Sequence, residues 1–268
     1  MTVPLQPQIV YIPHGGGPLP ILGGYDHNNL ITFLKDLPKQ LRRPKKILVI
    51  SAHWEASSPT LTANPKPEMI YDYHGFPEAA YKLEYPASGL PDFASDLQQS
   101  LKALGLPLQL DATRGNDHGA YIPLMLLYPE ADIPCMQLSL VDTLDPQEHI
   151  ALGQALGKVL TDDVLVIGSG MSFHNMGAFG EGKSQAESQA FGDWLAASCV
   201  DPNISPDKTM QRLIEWQKAP EARYCHPREE HLLPLHVCFG MAYEQKSQGK
   251  LIFDASVLGQ RCLAFLWH

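Results

Sequence analysis

The stretch "QIVYIPHGGGPLPILGG", residues 8 to 24, sets the pattern for the whole chain. Its first six residues form an apolar, β-branched run that predicts a buried strand, and His14 stands where that strand ends. Gly15, Gly16 and Gly17 have no side chains, so the backbone can turn sharply there and leave room beside the imidazole. In open α/β sheets, ligands gather at the carboxyl ends of strands. The stretch therefore predicts an α/β sheet with a histidine at its functional edge.

The pattern of a short apolar run followed by an amphipathic segment recurs along the chain. Further strands are predicted at residues 45–54, 132–140 and 163–170, and two short β-like runs close the chain at 251–256 and 262–267. Helices are predicted at residues 28–43, 90–105, 119–129, 145–160, 185–199, 206–217 and 228–244. Pro38 should kink or break the first helix, and Asp117 and Asp145 are the expected N-caps of the third and fourth. The alternation predicts an α/β fold with a mostly parallel or mixed central sheet and helices on both faces.

Length and charge limit the protein class. With 268 residues, 44% of them hydrophobic, the chain can bury a substantial core, and we expect one domain over residues 1–268. The formal net charge is -9, which gives no electrostatic support for binding nucleic acid or an anionic membrane. A small molecule is the expected partner, and the oligomeric state is left open.

The cysteines and the N-terminus predict a cytoplasmic protein. Five cysteines are widely spaced and form no C-x-x-C pair, which argues against a disulfide framework or a thiolate metal site. The N-terminal residues lack a basic segment followed by an apolar one, and no apolar run reaches the roughly 18 residues of a membrane span. We therefore expect reduced thiols, no export signal and no membrane insertion.

Four histidines lie at similar places relative to the predicted elements. His14, His53 and His174 end or follow predicted strands, and His118 precedes a predicted helix. Several elements could therefore bring imidazoles to one crevice, where neutral imidazole serves as a metal ligand or a general base. Dinucleotide, P-loop and serine-hydrolase motifs are absent from the sequence.

Other histidines are predicted to have no chemical role. His27, His149 and His268 stand in polar or terminal settings and are expected to be solvated. His236 lies five positions after His231 on a helical pattern, which turns it away from that residue, so a structural role is expected. His74 lies in a long aromatic loop that is either packing or a substrate lid.

Six short motifs carry a resemblance to a known family. They are "PHGGGP", "SAHWE", "NDHGAYIPLMLLYP", "IPCMQLSL", "GSGMSFHN" and "CHPREEHLLPLHV". In this order, over roughly residues 8–265, the chain resembles the class III extradiol ring-cleaving dioxygenases. Within them it is similar to the DOPA 4,5-dioxygenase branch, which is related to the catalytic subunit of protocatechuate 4,5-dioxygenase.

The resemblance implies a non-heme Fe(II) site that zinc can also occupy. It implies that His14, His53 and His231 bind the metal, and that His174 is the acid/base residue. His118 is implied to contact the substrate or to lie directly behind the metal ligands. The wider class commonly has a glutamate as third ligand in a two-histidine-one-carboxylate arrangement. The adjacent Glu229 and Glu230 are therefore alternatives to His231.

The resemblance also implies a reaction, which the residues alone leave open. Three protein ligands leave positions on the metal for a catechol and dioxygen, and the ring is opened beside the diol. A three-histidine site equally describes a zinc-dependent hydrolase, and the fold could also serve a non-enzymatic metal-binding protein. The substituent on the catechol is not identified. Candidate pocket residues are Trp54, Tyr73, Phe76, Tyr121 and Phe173, with Arg223 or Arg228 as a partner for a substrate carboxylate.

Overall fold

One eight-stranded sheet organises the protein. The computed structural model describes residues 6–180 and 184–268. Within these residues the strands follow the order β4-β3-β5-β2-β6-β1-β8-β7 across the sheet. Their bounds are β1 (Gln8–Pro13), β2 (Lys46–Ala56), β3 (Thr60–Thr62), β4 (Gln109–Asp111), β5 (Cys135–Val141), β6 (Val164–Gly170), β7 (Lys250–Val257) and β8 (Gln260–Trp267).

The centre of the sheet is parallel and its flanks are mixed. Strands β5, β2, β6 and β1 are neighbours and all run parallel. Strand β8 is antiparallel to β1 and to β7, and β3 is antiparallel to β5 but parallel to β4. The predicted mixed α/β sheet is thus confirmed. Strands β3 and β4 were not predicted, because three residues are too few to show a period in the sequence.

The described residues contain nine α-helices. They are α1 (Leu19–Leu22), α2 (Asn28–Asp36), α3 (Pro91–Ala103), α4 (His118–Leu127), α5 (Pro146–Val159), α6 (Gln185–Val200), α7 (Pro206–Ile214), α8 (Ala222–Cys225) and α9 (Leu233–Glu244). The break predicted at Pro38 is confirmed, since α2 ends at Asp36 and a 3-10 turn, Leu37–Gln40, follows. The helix predicted over 228–244 begins only at Leu233, with Pro234 in its first turn, and His231 lies in the preceding turn. Among these helices none is long and apolar enough to cross a membrane.

The two predicted aspartate caps behave differently. Asp145 caps α5, because its Oδ1 accepts from the backbone N–H groups of Gln147 at 2.7 Å and Glu148 at 3.1 Å. Asp117 occupies the N-cap position of α4, as predicted, but its side chain makes no capping hydrogen bond. The fully buried Asp117 carboxylate instead accepts from Ser51 Oγ at 2.7 Å and Gln137 Nε2 at 2.8 Å. The Asp117 side chain thus links β2 to β5 instead of bonding to the first turn of α4.

Strand register brings the predicted site residues to one edge. Ile12 of β1 and Ser51 of β2 both pair with Ser169 of β6, so the three strands reach the same level side by side. On β6, Gly168 faces the start of α9, whereas the next residue, Ser169, bonds to Gly119 of α4. Helices therefore cover both faces of the sheet, and the carboxyl ends of β1, β2 and β6 open between them.

Candidate metal centre

Five imidazoles converge at the carboxyl edge of the sheet, and we call them the cleft cluster. One follows β1, one lies near the end of β2, one begins α4, one follows β6 and one precedes α9: His14, His53, His118, His174 and His231. Their ring centroids lie between 3.3 and 5.5 Å from a neighbour in the cluster. The structure thus brings together the five histidines that the sequence singled out.

The glycine run builds the loop beside His14. Gly15 and Gly17 have φ angles of +85° and +53°, in the left-handed region that favours glycine. A Cβ on Gly15 would lie 2.8 Å from the His27 ring. The Gly16 N–H donates to His27 Nε2 at 2.9 Å. His27 is only 1% exposed, so the prediction that it is solvated is wrong: its ring closes the glycine loop.

Three of the five rings face one another through the same atom. His53 Nε2 lies 3.1 Å from His14 Nε2 and 3.3 Å from His231 Nε2. His14 and His231 are almost fully buried, and the His53 side chain is 21% exposed. The remaining nitrogen of each of these rings points away from the other two.

Each of the outward nitrogens meets a protein oxygen. His14 Nδ1 lies 3.1 Å from Ser169 Oγ, and since the serine hydroxyl donates to Gly119 O, it accepts from His14. His231 Nδ1 donates to Glu230 Oε1 at 2.9 Å. His53 Nδ1 lies 3.5 Å from a carboxylate oxygen of Asp72. These partners favour a proton on Nδ1, which leaves the lone pairs of the Nε2 atoms directed at one another.

Burial keeps these rings neutral. Desolvation, with smaller contributions from the neighbouring imidazoles, holds the pKa values of His14 and His53 well below their usual range. Burial likewise lowers the pKa of His231 to about 4, although Glu230 acts in the opposite direction. Neutral imidazole is the form that binds metal ions.

The other two rings of the cluster keep one nitrogen available. His118 Nδ1 donates to Asp72 Oδ1 at 2.8 Å, and the His118 backbone N–H reaches the same oxygen at 3.1 Å. The His174 ring stacks on His231 with centroids 3.3 Å apart, and its Nδ1 lies 3.4 Å from Glu230 Oε1. Within the part of the chain that the structure describes, neither His118 Nε2 nor His174 Nε2 has a hydrogen-bond partner.

The two glutamates proposed as alternative ligands lie outside the ring of Nε2 atoms. Glu230 holds the Nδ1 atom of His231, the side of the ring that faces away from His53. Burial alone would raise the pKa of Glu230, but hydrogen bonds from His174 and His231 hold it well below its usual range. Glu229 accepts from Arg223 Nη1 at 2.6 Å. The carboxylates thus orient histidines or pair with arginine.

Asp72 and Ser169 were not predicted to belong to the site. Asp72 lies in the long aromatic loop between β3 and α3, and it joins His118 to His53. Ser169 is the last residue but one of β6 and orients His14. The sequence gives no local signal for either residue, because each acts on a histidine that is distant along the chain.

The remaining histidines lie away from the cluster. His149 is fully buried, its Nε2 accepting from the Val141 N–H at 3.1 Å, so the prediction that it is solvated is wrong. His236 is also fully buried, with its ring nitrogens 2.9 and 3.2 Å from backbone carbonyls, and its predicted structural role is confirmed. His74 and His268 are exposed.

The predicted pocket aromatics fall into two groups. Tyr121 OH donates to Tyr73 OH at 2.8 Å, and the Tyr73 ring lies 5.7 Å from that of His118. Phe76 packs on Tyr73 and against Gly17. Trp54 instead stacks under the Arg114 guanidinium, and Phe173 packs on Phe179. The loop that carries Asp72 therefore covers the His118 side of the cluster with aromatic rings.

Comparison with known proteins identifies the family. Residues 9–265 match the model of the catalytic LigB subunit of aromatic ring-opening dioxygenase. The chain belongs to this family. It is therefore an aromatic ring-opening dioxygenase of the extradiol type, and a catechol and dioxygen are the reactants that the family implies. The family and the buried histidines together indicate a metal cofactor. Membership selects the dioxygenase over the hydrolase and the non-enzymatic protein that the sequence left open.

Individual relatives of this LigB-family chain agree along most of its length. A dioxygenase of Hapsidospora irregularis, tasH, is 38% identical over 89% of this chain and 79% of its own. A 4,5-DOPA dioxygenase extradiol of Beta vulgaris is 36% identical over 91% of this chain and 90% of its own. The crystal structure of an uncharacterized Escherichia coli K12 protein shares the fold, with a TM-score of 0.76 and 24% identity over 97% of this chain and 99% of that one.

Proposed function

We propose that His14, His53 and His231 bind one Fe(II) ion through Nε2, and that this centre opens the ring of a substituted catechol with dioxygen. The observation that carries the proposal is the meeting of three Nε2 atoms at 3.1 and 3.3 Å. Metal–imidazole bonds measure about 2.0–2.1 Å, so two nitrogens bound to one ion lie about 3 Å apart. The observed separations fit that value.

The hydrogen-bond partners argue for a cation between these rings. With protons on the Nδ1 atoms of His14 and His231, both Nε2 atoms present lone pairs to His53. His53 Nε2 can donate at most one proton, so at least one pair of nitrogens would face each other without a hydrogen. A metal ion held by the three Nε2 atoms would remove this repulsion, because the lone pairs would be directed at a cation.

Proximity alone would group the side chains differently. Ligating atoms within 4.8 Å of one another form two sets, one of His14, His53 and His118, the other of His174, Glu230 and His231. Glu230 is engaged with His231, and among the described residues the short Nε2 contacts of His53 are with His14 and His231 and not with His118. Removing His118, Glu230 and His174 leaves the three rings whose Nε2 atoms meet. The ion would supply open positions at which both reactants bind and exchange electrons.

His174 is the general acid/base in this proposal. Its Nε2 is unpartnered within the described residues, and its Nδ1 lies 3.4 Å from the Glu230 carboxylate. That carboxylate stabilises the protonated ring, so Nε2 can accept a catechol hydroxyl proton on binding and return it when the ring opens. The stack on His231 holds the ring beside the metal ligands.

His118 orients the substrate in this proposal. Asp72 fixes its Nδ1 proton, which makes Nε2 an acceptor for a catechol hydroxyl. The aromatic rings of Tyr73 and Phe76 lie on the same side and offer a surface for the catechol ring. Relatives named 4,5-DOPA dioxygenase make DOPA the first catechol to test.

The experiment is anaerobic reconstitution with Fe(II), followed by DOPA, caffeate or protocatechuate and isotopically labelled dioxygen. We expect one dioxygen consumed per catechol, both labelled atoms in a ring-opened product, and little turnover by the Zn(II)-loaded protein. Ester hydrolysis by the zinc form, or catechol oxidation without label in the product, would overturn the proposal.

A further inference from the structure

A cleft opens beside the proposed metal centre, and the described residues that line it include none from the aromatic loop. Its volume is about 350 Å³, within the range of roughly 300–1,000 Å³ usual for small-ligand pockets. The residues that line it are Ala52, His53, Glu55, Arg228, Glu230 and His231. Two proposed metal ligands thus form part of its wall, and Arg228 carries the single positive charge among these lining residues.

Arg228 is held in the cleft by a carboxylate that a ligand can replace. Its Nη1 and Nη2 donate to the two oxygens of Glu55 at 2.5 and 2.7 Å. The Arg228 side chain is 52% exposed and that of Glu55 is 27% exposed. The pair is bidentate, which strengthens it, but water screens the attraction because both side chains are partly exposed. A carboxylate on a ligand can replace Glu55 by accepting the same two hydrogen bonds, so the guanidinium stays paired throughout.

The cleft also contains an unsatisfied acceptor. Glu230 Oε2 is buried without a hydrogen-bond partner among the described residues, and it lies 3.5 Å from Arg228 Nη1. Buried acceptors are normally paired, so an orphaned one beside an open cleft indicates where a ligand's donor belongs. Such a donor would lie near the group that Arg228 binds, because Glu230 Oε2 and Arg228 Nη1 are 3.5 Å apart.

Arg223, the second arginine named from the sequence, provides the contrast. It pairs with Glu229 at 2.6 Å, and its guanidinium stacks 4.7 Å above the Trp216 ring. It lies outside the residues that line the cleft. Arg223 and Arg228 are therefore similar in exposure and pairing but differ in their position relative to the metal centre.

We propose that Arg228 determines specificity by binding the carboxylate of the catechol's side chain, with Glu55 as the built-in competitor that the substrate displaces. The inference rests on the proposed function, because it takes the metal centre as the place where the catechol ring binds. It predicts that catechols with a carboxylate on a short chain are preferred over uncharged ones.

The test compares kcat/KM for dihydrocaffeate with that for methylcatechol in the Fe(II)-loaded protein and its variants. Arg228→Gln should lower the ratio of the two values by about 10- to 100-fold, the usual loss for a hydrogen bond to a charged group. Arg228→Lys should give an intermediate ratio, since it keeps the charge but loses the bidentate fork. The matched control, Arg223→Gln, should leave the ratio within about twofold.

Glu55→Gln separates recognition from simple support of the fold. If Glu55 competes with substrate, this variant should raise the ratio, opposite to Arg228→Gln. If the pair only ties the β2 end to the His231 turn, both variants should slow both catechols alike, and that result would overturn the inference. Iron content is measured on every preparation. A wild-type protein that consumes no dioxygen with either catechol would instead refute the proposed function.

Discussion

The cleft cluster and three histidines of the core differ in their hydrogen-bond partners more than in burial, since His14 and His231 of the cluster are almost fully buried too. We call His149, His226 and His236 the core histidines, and each is fully buried. At least one ring nitrogen of each bonds to a backbone group: the Val141 N–H for His149, the Ser172 carbonyl for His226, and the Leu213 and Leu232 carbonyls for His236. In the cleft cluster the partners are Ser169, Asp72, Glu230 and other imidazoles. Burial alone therefore does not separate a structural histidine from a functional one.

The partner of each ring makes the difference. A backbone carbonyl or amide fixes a buried ring within the core, so the side chain serves packing. A carboxylate or hydroxyl on Nδ1 fixes the tautomer and leaves Nε2 available, which suits a metal ligand or a general base. Substitutions in the cleft cluster should therefore lower metal content or turnover, whereas substitutions of the core histidines should change stability.

The largest expected effect is the loss of metal on removal of a cluster ligand. His53→Ala deletes the ring whose Nε2 lies between those of His14 and His231. Iron content under dilute-metal conditions should fall sharply, and kcat by more than the 10- to 100-fold typical of losing an outer partner. Metal analysis by mass spectrometry checks this. The control is His149→Ala, which should retain its iron per folded molecule. Equal iron contents in the two variants would show that the cleft cluster and the core histidines do not differ in metal binding.

The next effect separates the base from the ligands within the cluster. His174→Ala removes the proposed acid/base residue but none of the three rings that meet through Nε2. We expect full metal content and an unchanged fold, with kcat lowered by roughly 10²- to 10⁴-fold. His118→Ala should lower kcat by a smaller factor if His118 only orients the substrate. An iron-replete His174→Ala protein with kcat within a few-fold of wild type would show that another group is the base.

A smaller effect is expected when the Asp72 carboxylate is changed while every ring of the cleft cluster is kept. Asp72→Asn keeps the shape of the side chain but weakens the acceptor for His118 Nδ1 and removes the charge near His53. We expect kcat or iron affinity to fall by about 10- to 100-fold. The melting temperature should change little, because the Asp72 side chain is 23% exposed. A large stability loss with normal kcat would instead make Asp72 a packing residue.

Substituting a core histidine should have the smallest effect on turnover. Its effect should appear instead in how the free energy of unfolding depends on pH. Burial lowers the pKa of His236 to about 4, whereas an unfolded chain has a histidine pKa near 6.5. Between these values the unfolded state binds the proton and the folded state does not. His236 therefore makes its full contribution to the free energy of unfolding above about pH 6.5. That contribution, roughly 3 kcal/mol in all, is lost as the pH falls toward 4.

Urea unfolding at several pH values checks this prediction with His236→Gln as the comparison. The free energy of unfolding of the wild type should fall more steeply from pH 6.5 to 4 than that of the variant. Turnover per folded molecule should stay close to wild type. Parallel pH profiles for the two proteins would mean that the ring is protonated in the folded state.

Much of the fold was predictable because its signals are local. The strands that carry His14 and His53 show as β-branched runs, and Pro38 and Asp145 act on their own neighbours, as a helix break and a cap. The local signal was incomplete where a distant partner engaged the same side chain. Asp117 stands at the predicted N-cap position, but Ser51 and Gln137 engage its carboxylate.

The positions of the histidines at the ends of strands and helices could be predicted from the sequence, and the motifs around them indicate the family. Three-dimensional contacts were needed to show that Asp72 and Ser169 hold histidines of the cleft cluster, that Glu230 orients His231, and that His27 and His149 are buried. The physical reason is that the end of a strand can be predicted from a local pattern, the period of two residues along the chain. The tautomer of a ring and the charge around it depend on atoms distant along the chain, such as those of Ser169, which is 155 residues from His14.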